Sequence, residues 1–319
     1  MRDLKQVVLG AVCLVLTAVP LSGQDYREEM RNFVRSIAQY AEAQYPSFII
    51  IPQNGQEILT IDGEADGPVH TGYLNAIDAI GREDLFYGYR KDNRQTPGSE
   101  NEYLLEWCRL YRENGVSVLV TDYCSAQDKM DDSYRLNRRY GFLSFAAPER
   151  ELNEIPSYPD PLPGENRRDI NVIADARNFL YLINGEKFRS KDEFLNAVGE
   201  TSYDLIIMDL FFDNESFSPG DLNRIRRKQN GGGRLLICYM SIGEAEDYRY
   251  YWKPAWSSAE PDWIEEENPD WEGNYKVRYW DAGWQSNIFG NPDAYLDRIL
   301  EAGFDGVYLD IIDAFEYFE

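Results

Sequence analysis

The chain has 319 residues, 32 basic against 56 acidic, a formal net charge of −24 and one histidine, His70. That balance repels nucleic acid and anionic lipid and favours neutral or cationic partners. One imidazole leaves histidine-dependent triads and His-ligated zinc sites without their usual parts, and the length suits one barrel of about 250 residues with additions.

At the N-terminus, Arg2 and Lys5 precede the apolar run Val7–Leu21, with the small residues Ser22 and Gly23 after it. The run falls short of the ~20 residues that span a bilayer and has the form of an export signal. Residues 1–23 are therefore expected to be a cleaved signal peptide, giving a secreted or periplasmic protein with no stable membrane insertion. Residues 24–319 follow as the catalytic domain, expected to be a monomer. Cys108, Cys124 and Cys238 have no CxxC spacing and read as structural thiols, so neither a disulfide framework nor a zinc site is indicated. No metal or other cofactor is expected.

The first element is a helix over Gln24–Gln44, with Met30, Phe33, Val34, Ile37 and Tyr40 on one face. A strand Phe48–Ile51 ends at Pro52-Gln53-Asn54-Gly55, and a short helix Gly72–Ile77 leads to a strand around Asp84–Tyr89. Helix Glu102–Glu113 stops at Asn114-Gly115 before strand Ser117–Thr121. Helix Ala126–Arg139 and strand Gly141–Ala146 follow. Residues 148–177 hold Pro156, Pro159, Pro161 and Pro163 without periodicity and read as a proline-rich linker. Strand Asn178–Ile183, helix Lys191–Val198, strand Tyr203–Met208, helix Pro219–Gln229 and strand Arg234–Met240 come next. An aromatic insertion over 248–284 precedes helix Pro292–Ala302 and the last strand, Gly306–Leu309. Eight strands alternating with helices predict an α/β fold, a (β/α)8 TIM barrel. The order is unusual, because the chain opens on a helix and its last strand lacks a following one. The linker is a long irregular stretch inside a compact domain. Both features suit a circularly permuted barrel.

Five apolar runs end in a carboxylate: Ala79–Arg82 in Glu83, Ser117–Thr121 in Asp122, Tyr203–Met208 in Asp209, Leu235–Gly243 in Glu244, and Gly306–Leu309 in Asp310. Parallel strands buried on both faces read as unbroken apolar runs, and in barrels the chemistry gathers at their C-terminal ends. Paired carboxylates are what glycoside hydrolysis requires. At the strand end beyond Ala79–Arg82 the pleat lets only one of Glu83 and Asp84 face inward, and Glu83 is preferred. At most two of the five carboxylates hold the primary roles; the rest bind sugar hydroxyls or amines, or raise the acid's pKa. Asn54 either binds a sugar hydroxyl or forms a turn with Gly55. Six of the seven tryptophans lie between Trp252 and Trp284, mostly as core of the insertion, with one to three expected to line the cleft.

The stretches Cys238-Tyr239-Met240-Ser241-Ile242-Gly243-Glu244-Ala245-Glu246-Asp247-Tyr248 and Gly303-Phe304-Asp305-Gly306-Val307-Tyr308-Leu309-Asp310-Ile311-Ile312-Asp313 resemble glycoside hydrolase family 114, the endo-α-1,4-polygalactosaminidase family, in its prokaryotic subgroup. Ile51-Pro52-Gln53-Asn54-Gly55 and Gly81-Arg82-Glu83-Asp84-Leu85 look like later strands of the same family, placed earlier here. The resemblance implies a TIM barrel and endo-hydrolysis of an amino-sugar polysaccharide; a cationic polymer of that kind would suit the acidic chain. It maps the catalytic pair to Asp310, as nucleophile or base, and Glu83, as acid. Asp209, Glu244, Asp122, Tyr123, Asn54, Tyr181 and Asp313 are the expected substrate-binding residues. The alternative is an inactive carbohydrate-binding barrel.

Overall fold

The computed structural model describes residues 23–257 and 259–319, so the expected signal peptide lies outside the described residues apart from Gly23. The first helix, α1, spans Tyr26–Glu42. The Asp25 side chain caps it by accepting the Glu28 N–H, and Met30, Phe33, Val34, Ile37, Ala38 and Ala41 form its buried stripe.

Eight parallel strands carry the fold: β1 Ile49–Pro52, β2 Ala79–Glu83, β3 Ser117–Tyr123, β4 Leu143–Ala147, β5 Phe179–Tyr181, β6 Leu205–Met208, β7 Leu235–Ser241 and β8 Gly306–Asp310. Every residue of β1, β6 and β7 is buried, which is why they read as largely unbroken apolar runs. Five strands form a central parallel sheet in the order β1-β8-β7-β6-β5, and three form a second in the order β2-β3-β4. The sheets meet where the Asp78 and Asn54 N–H groups donate to the Ile50 and Gly81 carbonyls, each at 2.9 Å. On the other side Phe145 of β4 packs against Phe179 of β5 with ring centroids 5.8 Å apart.

Helix α1 lies against the C-terminal segment Phe315–Phe318. Arg27 pairs with Glu319 at 2.8 Å, and the Tyr279 hydroxyl donates to the Tyr26 carbonyl at 2.7 Å. Residues from the two ends of the described chain are therefore neighbours, on the path from β8 to the adjacent β1.

One expected strand is displaced. The extended run is Ala79–Glu83, and Asp84, with φ 57°, turns the chain out of it. Leu85, Phe86 and Tyr87 are buried as the sequence pattern demands, but as a loop. The Phe86 and Tyr87 N–H groups donate to the Asp122 carboxylate at 2.8 and 3.1 Å instead of to a strand. Within β2, Gly81 admits the neighbouring Tyr308, since a Cβ there would stand 1.9 Å from its hydroxyl.

The proline-rich segment is irregular but anchored. Asp204, wholly buried, accepts from Lys228 Nζ at 2.7 Å and from Asn166 Nδ2 at 2.8 Å. The aromatic insertion carries a three-stranded antiparallel sheet with Asn274–Val277 between Glu244–Glu246 and Ile264–Glu267. Trp256, Trp263 and Trp284 are buried beneath it, ring against ring. The expected core of the insertion is therefore present.

Candidate active site

The C-terminal ends of the parallel strands surround a cavity of about 530 Å³ whose wall includes Glu83 and Asp310. Alternation along β2 puts Gly81 and Glu83 on the inner face and Arg82 on the outer one; the Arg82 guanidinium donates to the Gln56 side chain at 2.9 Å. Asp84 is absent from the wall and faces Arg150 at 3.3 Å. Of the two neighbouring carboxylates, Glu83 is the inward one.

Three side chains donate to Glu83. Gln53 Nε2 reaches Oε2 at 2.5 Å and Asn54 Nδ2 reaches the same oxygen at 3.1 Å, while the Tyr123 hydroxyl donates to Oε1. The Tyr181 hydroxyl donates to Gln53 Oε1 at 3.0 Å, fixing the orientation of that amide. Asp310 accepts from the Tyr239 hydroxyl at 2.6 Å on Oδ2 and from the Ile311 N–H at 2.8 Å on Oδ1. Burial, followed by the negative charge of Glu83, raises the Asp310 pKa to about 7. Asp313 is raised to about 6 by burial and then by Glu316. The backbone leaving Asp310 is strained: Ile311, a β-branched residue, has φ 58°. Its carbonyl crosses Gly243, where a Cβ would stand 2.2 Å from the oxygen.

The remaining wall is acidic. Eight carboxylates line it against two cations, Arg150 and Arg249. Asp209 is held by Arg249 Nη1 at 2.7 and 2.9 Å, and Arg249 Nε binds Glu246 at 2.7 Å. Burial raises the Asp209 pKa although Arg249 opposes it. Glu244 accepts from Asn268 and Asn274 at 2.8 and 3.3 Å; its pKa too is raised by burial.

Asp310, Glu83, Asp209, Glu244, Tyr123, Asn54, Tyr181 and Asp313 thus share one cavity, as expected of a site. Asp122 does not. It follows the outward phase of β3, is fully buried, and its oxygens take Ser133 Oγ at 2.6 Å and Asn137 Nδ2 at 3.2 Å besides two backbone N–H groups. Its role is to hold the loop after β2 against helix Gln127–Tyr140. Asn54 forms the turn before Gly55, with φ 59°, and its side-chain amide donates to Glu83. Gln53, Tyr239, Glu246, Arg249 and Arg150 line the cavity without having been singled out. Strand alternation through Asp310 and its neighbour β7 would have pointed to Tyr239; no local signal marks Arg249.

Residues 196–319 match the sequence model of glycoside-hydrolase family GH114. The resemblance noted in the motifs around Glu244 and Asp310 holds over that segment, and Asp209 and Asp313 fall within it too. An uncharacterized protein of Methanocaldococcus jannaschii is 36% identical over 156 residues, covering 48% of this chain and 41% of its own length. Uncharacterized proteins of Deinococcus radiodurans and Thermotoga maritima are 43% and 37% identical over 122 and 123 residues. Each of those two matches covers 38% of this chain, and 37% and 36% of the relatives, respectively. The chain thus spans about two fifths of the length of the curated relatives it matches.

Proposed function

We propose that this protein is a secreted or periplasmic glycoside hydrolase that cleaves an amino-sugar polysaccharide, of the α-1,4-galactosamine type, within the chain. The GH114 match implies glycoside hydrolysis. The observation that carries the finer reading is the pair Asp310 and Glu83 on one cavity wall, near enough for the charge of Glu83 to raise the Asp310 pKa. A carboxyl that keeps its proton near neutrality, beside a second carboxyl, allows the two to divide acid and nucleophilic work. The eight carboxylates of the wall favour a cationic polymer and disfavour nucleic acid. The export-like N-terminus supports release from the cytoplasm, and we take the enzyme to act as a monomer.

The fold fits this reading as a closed (β/α)8 barrel in circularly permuted order. Contacts between the two sheets at both edges support closure. The nearness of α1 to Phe315–Phe318 supports permutation, with α1 completing the crossover from β8 to β1.

The test is release of reducing ends from α-1,4-polygalactosamine by the purified chain. Asp310→Asn and Glu83→Gln should each lower turnover by roughly 10²–10⁴-fold or more while still binding polymer. Binding without turnover in the unaltered chain would instead identify a carbohydrate-binding barrel.

The division of roles has a second reading. The resemblance makes Asp310 the nucleophile or base, whereas burial and the charge of Glu83 raise its pKa to about 7, which favours its protonated form near neutrality. That observation favours Asp310 as acid and Glu83 as nucleophile or base. An aryl oligosaccharide whose leaving group needs no proton separates the two: the acid variant turns it over and the nucleophile or base variant does not.

A further inference from the structure

Six tryptophans lie between Trp252 and Trp284, and five of them pack against another aromatic ring. Trp271 is the sixth. It is 56% exposed, contributes to the cavity wall and makes no ring contact among the described residues. It sits in the turn joining Ile264–Glu267 to Asn274–Val277, beyond the strand ends that carry Asp310 and Glu83.

This turn is built rigidly. The Asn268 N–H donates to the Asn274 carbonyl at 2.7 Å, and the Trp271 carbonyl accepts the Asn274 N–H at 3.1 Å. Glu267 Oε1 accepts the Gly273 N–H at 2.8 Å. Asn268 and Asn274 flank the tryptophan, and both give their side-chain amides to Glu244, one to each oxygen. Glu244 is only 3% exposed. Each of its oxygens accepts one of these amides, so Glu244 fastens the turn to the cavity wall. Tyr248, also on the wall and exposed, is tethered through its hydroxyl to Glu246 at 2.6 Å.

We propose that Trp271 is a stacking subsite for a pyranose ring of the polymer, away from the linkage being cleaved, and that Glu244 is the positioning residue that holds it there. This rests on the hydrolase reading above. A pyranose offers an apolar C–H face to an indole, and an ammonium on the ring adds attraction to the π face. An immobilised turn spares the entropy of ordering the platform when sugar arrives. The subsite makes affinity depend on chain length: oligomers too short to reach the turn gain nothing from it.

The experiment measures binding of α-1,4-galactosamine oligomers, from disaccharide to octasaccharide, by calorimetry on the full chain carrying Asp310→Asn. With Trp271→Ala, affinity for the longest oligomers should fall about tenfold, the scale of one aromatic contact, with the disaccharide unchanged. Trp271→Tyr should restore long-oligomer affinity. Glu244→Ala, with Trp271 intact, should reproduce the length-dependent loss, a pattern that general destabilisation does not give. Equal loss at every length, or no loss at any, overturns the subsite while leaving the hydrolase reading in place. Length-dependent loss in Trp271→Ala but not in Glu244→Ala overturns the positioning role. A chain that binds no oligomer even with Trp271 present overturns both the subsite and the amino-sugar reading.

Discussion

Tyr239 and Asp310 belong to adjacent parallel strands, and the Tyr239 hydroxyl donates to Asp310 Oδ2 at 2.6 Å. That bond opposes the burial that raises the Asp310 pKa to about 7.

Tyr239→Phe removes the donor, so the inflection governed by Asp310 should move to higher pH. An activity–pH profile reads the direction and the role together. A shifted rising limb identifies Asp310 as nucleophile or base, and a shifted falling limb identifies it as the acid. An inflection that stays in place would show that Asp310 does not govern the profile.

Asp310 also links stability to pH. Its folded pKa, about 7, lies above the ordinary carboxylate value. The neutral form is therefore favoured by folding; that contribution is full below about pH 4 and is lost as pH rises through about 7. Asp310→Asn should raise the Tm relative to the unaltered chain at pH 8, with the advantage clearly smaller at pH 5 and gone only below about pH 4. Thermal scans at the two pH values check this. A Tm difference of the same size at both would remove Asp310 as its source.

Asp122 should behave as a structural residue. Asp122→Ala leaves the Phe86 and Tyr87 N–H groups, Ser133 and Asn137 without their acceptor in a fully buried place. At about 1–3 kcal/mol for an unsatisfied buried group, the loss should exceed about 3 kcal/mol in urea unfolding. Normal stability with weakened sugar binding would return Asp122 to the site.

Arg249 neutralises Asp209 and Glu246 in a buried cluster. Arg249→Met strands both carboxylates and should destabilise the fold by about 3–5 kcal/mol at pH 7. The deficit should shrink as acid protonates the stranded pair, which unfolding at pH 4.5 and 7 would reveal. A deficit independent of pH would point to lost packing against Tyr295, whose ring centroid lies 5.5 Å from the guanidinium.

Apolar runs ending in carboxylates marked the C-terminal ends of β2, β3, β6 and β8, because strands covered on both faces must be apolar throughout. Glu83 could be preferred to Asp84 in the same way, since alternation is a local property. The same pattern misplaced a strand at Asp84–Tyr89, where three buried apolar residues form a loop fastened by the carboxylate of Asp122. Burial was legible there, but the partner of the backbone amides was not, because it comes from another strand.

The sequence by itself determined the alternation of strands and helices, the acidic balance, the aromatic core of the insertion and the carboxylates available at strand ends. These follow from periodicity and composition along a continuous chain. Only the tertiary structure decided which carboxylates share a cavity, that Asp122 turns away from it, that Arg249 bridges Asp209 and Glu246, and that Tyr123, Gln53 and Asn54 converge on Glu83. Those relations join residues far apart in the chain: 40 positions separate Tyr123 from Glu83 and Arg249 from Asp209, and the cavity brings Glu83 and Asp310 from opposite ends of the chain to one wall. Their energies depend on distance and desolvation, which exist only once the strands lie side by side.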